Sequence, residues 1–95
     1  MKLKLDLNTK IQQNKKILTS DVDGEKVMMS IMKGEYYGLG KTGTFIWDLL
    51  EEPIKINDII NRITERFNVN KEKCYNDIIP FIKDLIEKEL VVVTY

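Results

Sequence analysis

Apolar positions change their spacing once along this chain. Residues 3 to 7 alternate through Leu3, Leu5 and Leu7, which predicts a short extended segment. Residues 17 to 22, 26 to 32 and 35 to 39 predict three strands bounded by turn residues. Asp23-Gly24, the strongest short-range turn signal in the chain, joins the first two, and Lys33-Gly34 joins the next two. Turns this short force antiparallel neighbours, so the three strands form a meander with residues 35 to 39 at one edge.

Beyond Gly40 the period becomes helical. Phe45, Ile46, Trp47, Leu49 and Leu50 predict a first helix that stops near Pro53. Ile56, Ile59, Ile60, Ile63 and Phe67 recur at core-facing spacing and predict a second, from about residue 56 to 67. Asn68-Val69-Asn70 is a turn, with Asn70 the N-cap of a third helix reaching to about Glu89. Leu90 to Thr94 is a β-prone tail, fit to add a short strand or to pack along the core. The fold class is therefore α+β: a three-stranded antiparallel sheet followed by three helices, the layout of a winged helix-turn-helix. Residues 1–16 form a basic N-terminal segment with room for an extra strand, and residues 17–95 form the domain.

The obvious use of that layout is DNA binding through the helix after the turn. The charges oppose it. Residues 1 to 16 carry Lys2, Lys4, Lys10, Lys15 and Lys16 against Asp6, and since the net charge is zero the remainder is acidic by four. Between Lys55 and Glu89 seven basic residues meet seven acidic ones, so the recognition region gains little from counterion release. The charges disfavour nucleic acid as a partner, and a DNA-binding regulator would have to rely on residues 1 to 16.

Composition narrows the chemistry further. The chain has no His and one Cys, Cys74, so the commonest general base is missing and the thiol has no usual activator. Asp21, Asp23 and Glu25 lack the twelve-residue ligand spacing of a calcium loop and read as a hairpin turn. Gly38, Gly40 and Gly43 lack the Lys-Ser/Thr that completes a phosphate loop. The expectation is a binding protein, not an enzyme, with no metal or cofactor. No apolar run is long enough to cross a bilayer, no signal peptide is evident, and a lone Cys suits a reducing compartment. A cytoplasmic protein without a membrane partner is expected.

The third helix and the edge strand offer the candidate site. With Cys74 at zero and 100° per residue, Phe81, Leu85, Ile78, Ile82, Tyr75, Ile86 and Ile79 fall across roughly 160° of arc. One packing face needs only ~100°. Either the wide face packs on two neighbours, or the edge formed by Cys74, Ile78, Phe81 and Leu85 stays partly uncovered as one wall of a groove. Asp77, Asp84 and Lys88 would supply its polar rim. Pro80 removes a donor inside this helix and should kink it. The other wall is Glu35-Tyr36-Tyr37-Gly38-Leu39, where unpaired backbone groups, a glycine and two tyrosines suit an added peptide strand. Tyr37 and Leu39 share a face and are also candidates for plain core; Tyr36 points the other way.

Three segments carry a resemblance to a known family. They are Asp21-Val22-Asp23-Gly24-Glu25-Lys26-Val27-Met28, then Gly34-Glu35-Tyr36-Tyr37-Gly38-Leu39-Gly40, then Gly43 with Ile46-Trp47-Asp48-Leu49-Leu50. Together they closely resemble the PqqD-like family, the leader-peptide recognition elements of ribosomally made, post-translationally modified peptides. The match continues through Ile59, Phe67, Asp77, Ile82 to Leu85 and Leu90. Gly40 and the Asp-Gly-Glu-Lys-Val turn make it most similar to the stand-alone proteins of lasso-peptide pathways. The resemblance implies a winged-helix fold and a precursor leader bound antiparallel to the third strand and against the third helix. It also implies delivery to a separate modifying enzyme, in lasso pathways a leader protease, and otherwise a radical enzyme or cyclodehydratase. Two positions depart from the family pattern. Lys55 stands where a Thr or Ser cap is usual, at a cost of ~1 kcal/mol, and Pro80 stands where a helix former is usual.

Overall fold

A computed structural model describes residues 5–94. Strands β1 (Lys10–Gln13), β2 (Ile17–Val22), β3 (Glu25–Ser30) and β4 (Glu35–Gly38) precede helix α1 (Gly40–Leu49). A two-residue strand β5 (Ile54–Lys55) leads into α2 (Ile56–Phe67), α3 (Lys71–Glu87) and a last strand β6 (Val91–Thr94). The strands form two antiparallel sheets, ordered β2-β3-β4 and β5-β1-β6. The α+β class and the meander followed by three helices are as the periodicity predicts. The second sheet is additional.

Local chemistry explains the meander. Asp23 and Gly24 have φ of 54° and 83°, the left-handed pair that a two-residue hairpin turn requires. At the next turn Gly34 takes φ 63°, and its N–H reaches the Ser30 carbonyl at 2.8 Å. Met28 and Ser30, two residues apart, face inward and are buried. The Lys26 N–H donates to Thr44 Oγ1 at 2.8 Å and the Lys26 ammonium pairs with Asp48, so α1 is fastened across β3.

The N-terminal segment is placed by long-range bonds. Residues 3 and 4 of the expected alternating strand lie outside the described residues, while Leu5 and Asp6 are unpaired and Leu7-Asn8 make a turn. The strand begins instead at Lys10, where the chain can pair with both β5 and β6. The turn has its own use: Thr9 and Leu7 carbonyls accept the Ile56 and Asn57 N–H groups at 3.0 Å each. Backbone thus caps α2, which explains how Lys55 can occupy a cap position without a side-chain bond. Gln13 N–H to the Leu50 carbonyl (2.9 Å) and Asn14 N–H to the Leu90 carbonyl (3.0 Å) then tie this segment to the rest of the chain.

Helix ends follow their sequence signals. Asn68 takes the left-handed conformation (φ 52°) after α2. Asn70 Oδ1 accepts from Glu72 N at 2.8 Å and Lys73 N at 3.2 Å, capping α3 as predicted. The helix runs through Pro80 without interruption; Asn76, whose carbonyl loses its partner there, is exposed to water. At its end Glu89 turns left-handed (φ 62°) and Leu90 N–H reaches back to the Leu85 carbonyl at 2.9 Å. The core joins Ile11, Met28, Ile46, Trp47, Leu50, the isoleucines of α2, and Ile82, Leu85, Leu90 and Val91. Phe67, expected in it, is 39% exposed and packs edge-on to Phe45 with ring centroids 5.4 Å apart. As the last residue of α2 it lies beyond the cover of the core.

Candidate functional site

Strand β4 has one neighbour, β3, so its other edge is open among the described residues. The register decides what that edge offers. Leu39 N–H bonds to the Lys26 carbonyl at 3.0 Å, and Met28 lies opposite Tyr37. Hydrogen-bonded pairs alternate in an antiparallel ladder, so Glu35, Tyr37 and Leu39 direct their backbone groups to β3. Tyr36 and Gly38 therefore direct N–H and C=O outward. Side chains alternate in the perpendicular sense: Tyr37 shares the inner face with Met28, while Tyr36 stands on the outer face, 72% exposed.

Beside this edge lies a groove of about 280 Å³ between β4 and the C-terminal half of α3. Tyr36, Tyr37, Gly38 and Leu39 line one side, and Phe81, Asp84, Leu85 and Lys88 the other. Lys88 spans the two: Nζ donates to Asp84 Oδ2 at 2.7 Å and sits 5.0 Å from the Tyr37 ring centroid. The Asp84 hydrogen bond holds the Lys88 ammonium above its ordinary range. Loss of solvent, then the Glu35 carboxylate, pushes the Tyr37 hydroxyl up, so it stays a neutral donor. The groove mixes apolar side chains, Met28, Leu39, Phe81, Leu85 and Leu90, with polar groups that include one neutralised ion pair.

The remaining expected residues lie elsewhere. Cys74, Asp77 and Ile78 line a second cavity of about 350 Å³, with Thr42 of α1 and Ile63 and Phe67 of α2. Glu35 is exposed at the start of β4 and does not line the groove. The expectation of a partly uncovered helix edge needs correction, because Cys74, Ile78 and Leu85 are at most 5% exposed. The wide face of α3 packs on two neighbours, α2 and the sheets, and Phe81 alone of the four remains half-buried. Burial first and the Asp77 charge second raise the Cys74 pKa, which disfavours the nucleophilic thiolate.

Met28 and Leu90 line the groove without having been singled out, while Lys88 lies there as expected of the polar rim. Met28 was legible in principle, since alternation along 26 to 30 places it on the inner face opposite Tyr37. Leu90 was not, because its position depends on the left-handed turn at Glu89. Among the described residues no group of His, Cys, Asp and Glu could hold a metal ion, and no helix is long and apolar enough to cross a membrane.

An open-edged meander backed by a helix-lined groove is an arrangement able to take an extended chain as an added strand. The chain belongs to the family described as coenzyme PQQ synthesis protein D (PqqD), whose model matches residues 25–91. Two solved structures are similar. One, TbiB1 in complex with the TbiA(beta) leader peptide, is 29% identical with a TM-score of 0.77, over 84% of this chain and 93% of that one. Another, a lasso peptide synthetase B1 complexed with the leader peptide, is 21% identical with a TM-score of 0.75. It covers 86% of this chain and 96% of that one, and shares the fold. No curated protein matches the chain by sequence.

Proposed function

We propose that this protein binds the leader of a ribosomally made precursor peptide as a strand added to β4, and delivers that precursor to a separate modifying enzyme. A lasso-peptide leader protease is the enzyme this reading favours. The observation that carries it is the outward-facing backbone of Tyr36 and Gly38 at an uncovered sheet edge, directly beside a groove walled by Phe81 and Leu85. The similarity to two proteins solved with leader peptides supports the same reading. Glu35, Tyr36, Tyr37, Gly38 and Leu39 form the strand wall, and Phe81, Asp84 and Leu85 the helix wall. Cys74, Asp77 and Ile78 extend the helix wall toward α1. The chain acts by binding and carries out no chemistry on the peptide.

Titration with the leader of a precursor encoded alongside the protein tests this. Backbone bonds and apolar anchors make affinity change little between ~50 and ~200 mM salt, whereas 6–10 phosphate contacts would cost a DNA binder ~10³–10⁵. Tight duplex binding with that slope, and none to leader, reverses the assignment. A precursor that the purified protein cleaves or modifies unaided would overturn the binding-only role. Processing that depends on a leader protease, and on no radical enzyme or cyclodehydratase, identifies the partner.

A further inference from the structure

Strand β2 is the other margin of its sheet, and its outer edge has no neighbour among the described residues. Ladder bonds alternate along β3: Lys26, Met28 and Ser30 direct theirs to β4, so Glu25, Val27 and Met29 direct theirs to β2. Their partners Val22, Ser20 and Leu18 therefore face β3, and Thr19 and Asp21 turn N–H and C=O outward. Ile17 is accounted for locally, because its N–H reaches the Asn14 carbonyl at 3.1 Å. Natural edges are commonly guarded by lysine, proline or a bulge. The β2 run Ile-Leu-Thr-Ser-Asp-Val has no lysine or proline, and its register with β3 is unbroken. Every residue from Leu18 to Val22 is exposed. Charge is sorted along the strand: Lys15 and Lys16 stand exposed at its start, Asp21 and Asp23 exposed at its end.

An edge of this kind is complementary to itself. Consider a two-fold axis normal to the sheet at Ser20, so that both copies keep the same face toward their helices. Thr19 then opposes Asp21 of the second copy, and Asp21 opposes its Thr19, which pairs every outward N–H with an outward C=O. Leu18 falls opposite Val22 of the second copy on the outer face, where the two are 50% and 53% exposed. These are non-hydrogen-bonded pairs, in which side chains approach most closely. Lys16 comes against the Asp23-Gly24 turn, basic end to acidic end. A parallel pairing would set like charges side by side. The antiparallel register centred on Thr19 would oppose Asp21 to Ile17, whose N–H is already taken. We infer that two copies of this chain associate antiparallel through β2, with Ser20 at the two-fold axis. The joined sheet, β4-β3-β2 against β2-β3-β4, keeps both β4 edges free at its ends. This goes beyond leader binding and stands whether or not β4 takes a leader.

One paired edge is small beside the ~800 Å² per partner of a standard interface, so the dimer is read at high concentration. Sedimentation velocity of the whole chain from ~1 μM to ~1 mM should show monomer giving way to dimer. Thr19→Pro removes an outward N–H without touching the β3 ladder and should weaken association ~10-fold or more. Charge reversal tests the direction, and it decides the matter should Thr19→Pro melt early. Lys16→Glu, and separately Asp21→Lys with Asp23→Asn to keep the left-handed turn, should each associate ~10-fold more weakly than wild type. A two-fold contact occurs twice, and in a mixed dimer of these two variants both occurrences unite opposite charges. An equal mixture should therefore recover association to within ~3-fold of wild type. A protein that stays monomeric at ~1 mM overturns the inference, as does association indifferent to a folded Thr19→Pro variant. Charge variants that associate no better mixed than alone overturn the antiparallel pairing.

Discussion

Sheet β2-β3-β4 is joined by the tight Asp23-Gly24 turn and the loop from Ile31 to Gly34, so each strand pairs with its neighbour in sequence. Sheet β5-β1-β6 gathers strands from the N-terminal segment, the α1–α2 connection and the C-terminus. Their residues are treated differently. Each sheet buries an inner face, Ile11 and Val91 in the second and Met28 in the first being at most 1% exposed. On the outer faces, however, Leu18, Val22 and Tyr36 of the first are 50–72% exposed against 41% for Val92 of the second. The first sheet also keeps the open edge. A sheet closed by local turns can hold its shape with one face and one edge uncovered, because its register does not depend on being buried. A sheet made of distant segments exists only through burial, and it stabilises the fold while the local sheet keeps the edge to which the proposed leader would add.

The largest expected effect tests the stabilising side of that contrast. Ile11 is fully buried between Ile54 and Val93 in the register, so Ile11→Ala should destabilise by ~2–5 kcal/mol in a denaturant titration. Tyr36→Ala, in a strand of the open sheet, should stay within ~0.5 kcal/mol. Equal losses would remove the distinction between the sheets.

Gly38→Pro tests the binding side. The Gly38 N–H faces away from β3, so proline deletes no ladder bond, and edge strands tolerate proline where the N–H faces solvent. The melting temperature should shift by only a few degrees while leader affinity falls by ~10-fold or more. Unfolding would show instead that this N–H is needed within the sheet.

Asn70→Ala removes both bonds that Oδ1 accepts at the start of α3 and should cost ~1 kcal/mol, read by denaturation. The groove's register should survive, since Lys88 and Phe81 lie in the opposite half of that helix.

The smallest effect concerns the tie between the open sheet and α1. The Asp48 hydrogen bond raises the Lys26 pKa above its ordinary 10.5, against a desolvation that lowers it. A raised folded pKa means that the pair's contribution is complete below the unfolded value and is lost as pH rises through the folded one. The pair is partly exposed, so Lys26→Met should cost less than ~1 kcal/mol at neutral pH. As pH rises above the ordinary value of 10.5 and through the raised folded value, wild type should converge on the variant. A gap that persists once the ammonium has lost its charge would assign the difference to packing.

Local rules made much of the fold legible. Asp23-Gly24 needed only its own φ preference, Asn70 only a carbonyl two bonds from its backbone, and the isoleucines of α2 only their spacing. The candidate groove was half legible. Tyr36, Tyr37, Gly38, Phe81, Asp84 and Leu85 converge on it, but Cys74 and Ile78 line a separate cavity. A helical wheel gives angle around an axis and nothing about which neighbour covers each stretch of its length.

What the sequence by itself determined was every feature whose cause spans a few residues: the meander, the three helices, the α3 cap, and the motifs that identify the family. Tertiary structure alone decided what depends on distant segments meeting. It shifted the N-terminal strand to Lys10, because only there can the chain pair with β5 and β6 together. It also spared α2 the expected loss at Lys55, because the Leu7 and Thr9 carbonyls arrive where a side-chain cap is missing. Periodicity records which side of an element is apolar, and the partner on that side is set by how the whole chain closes.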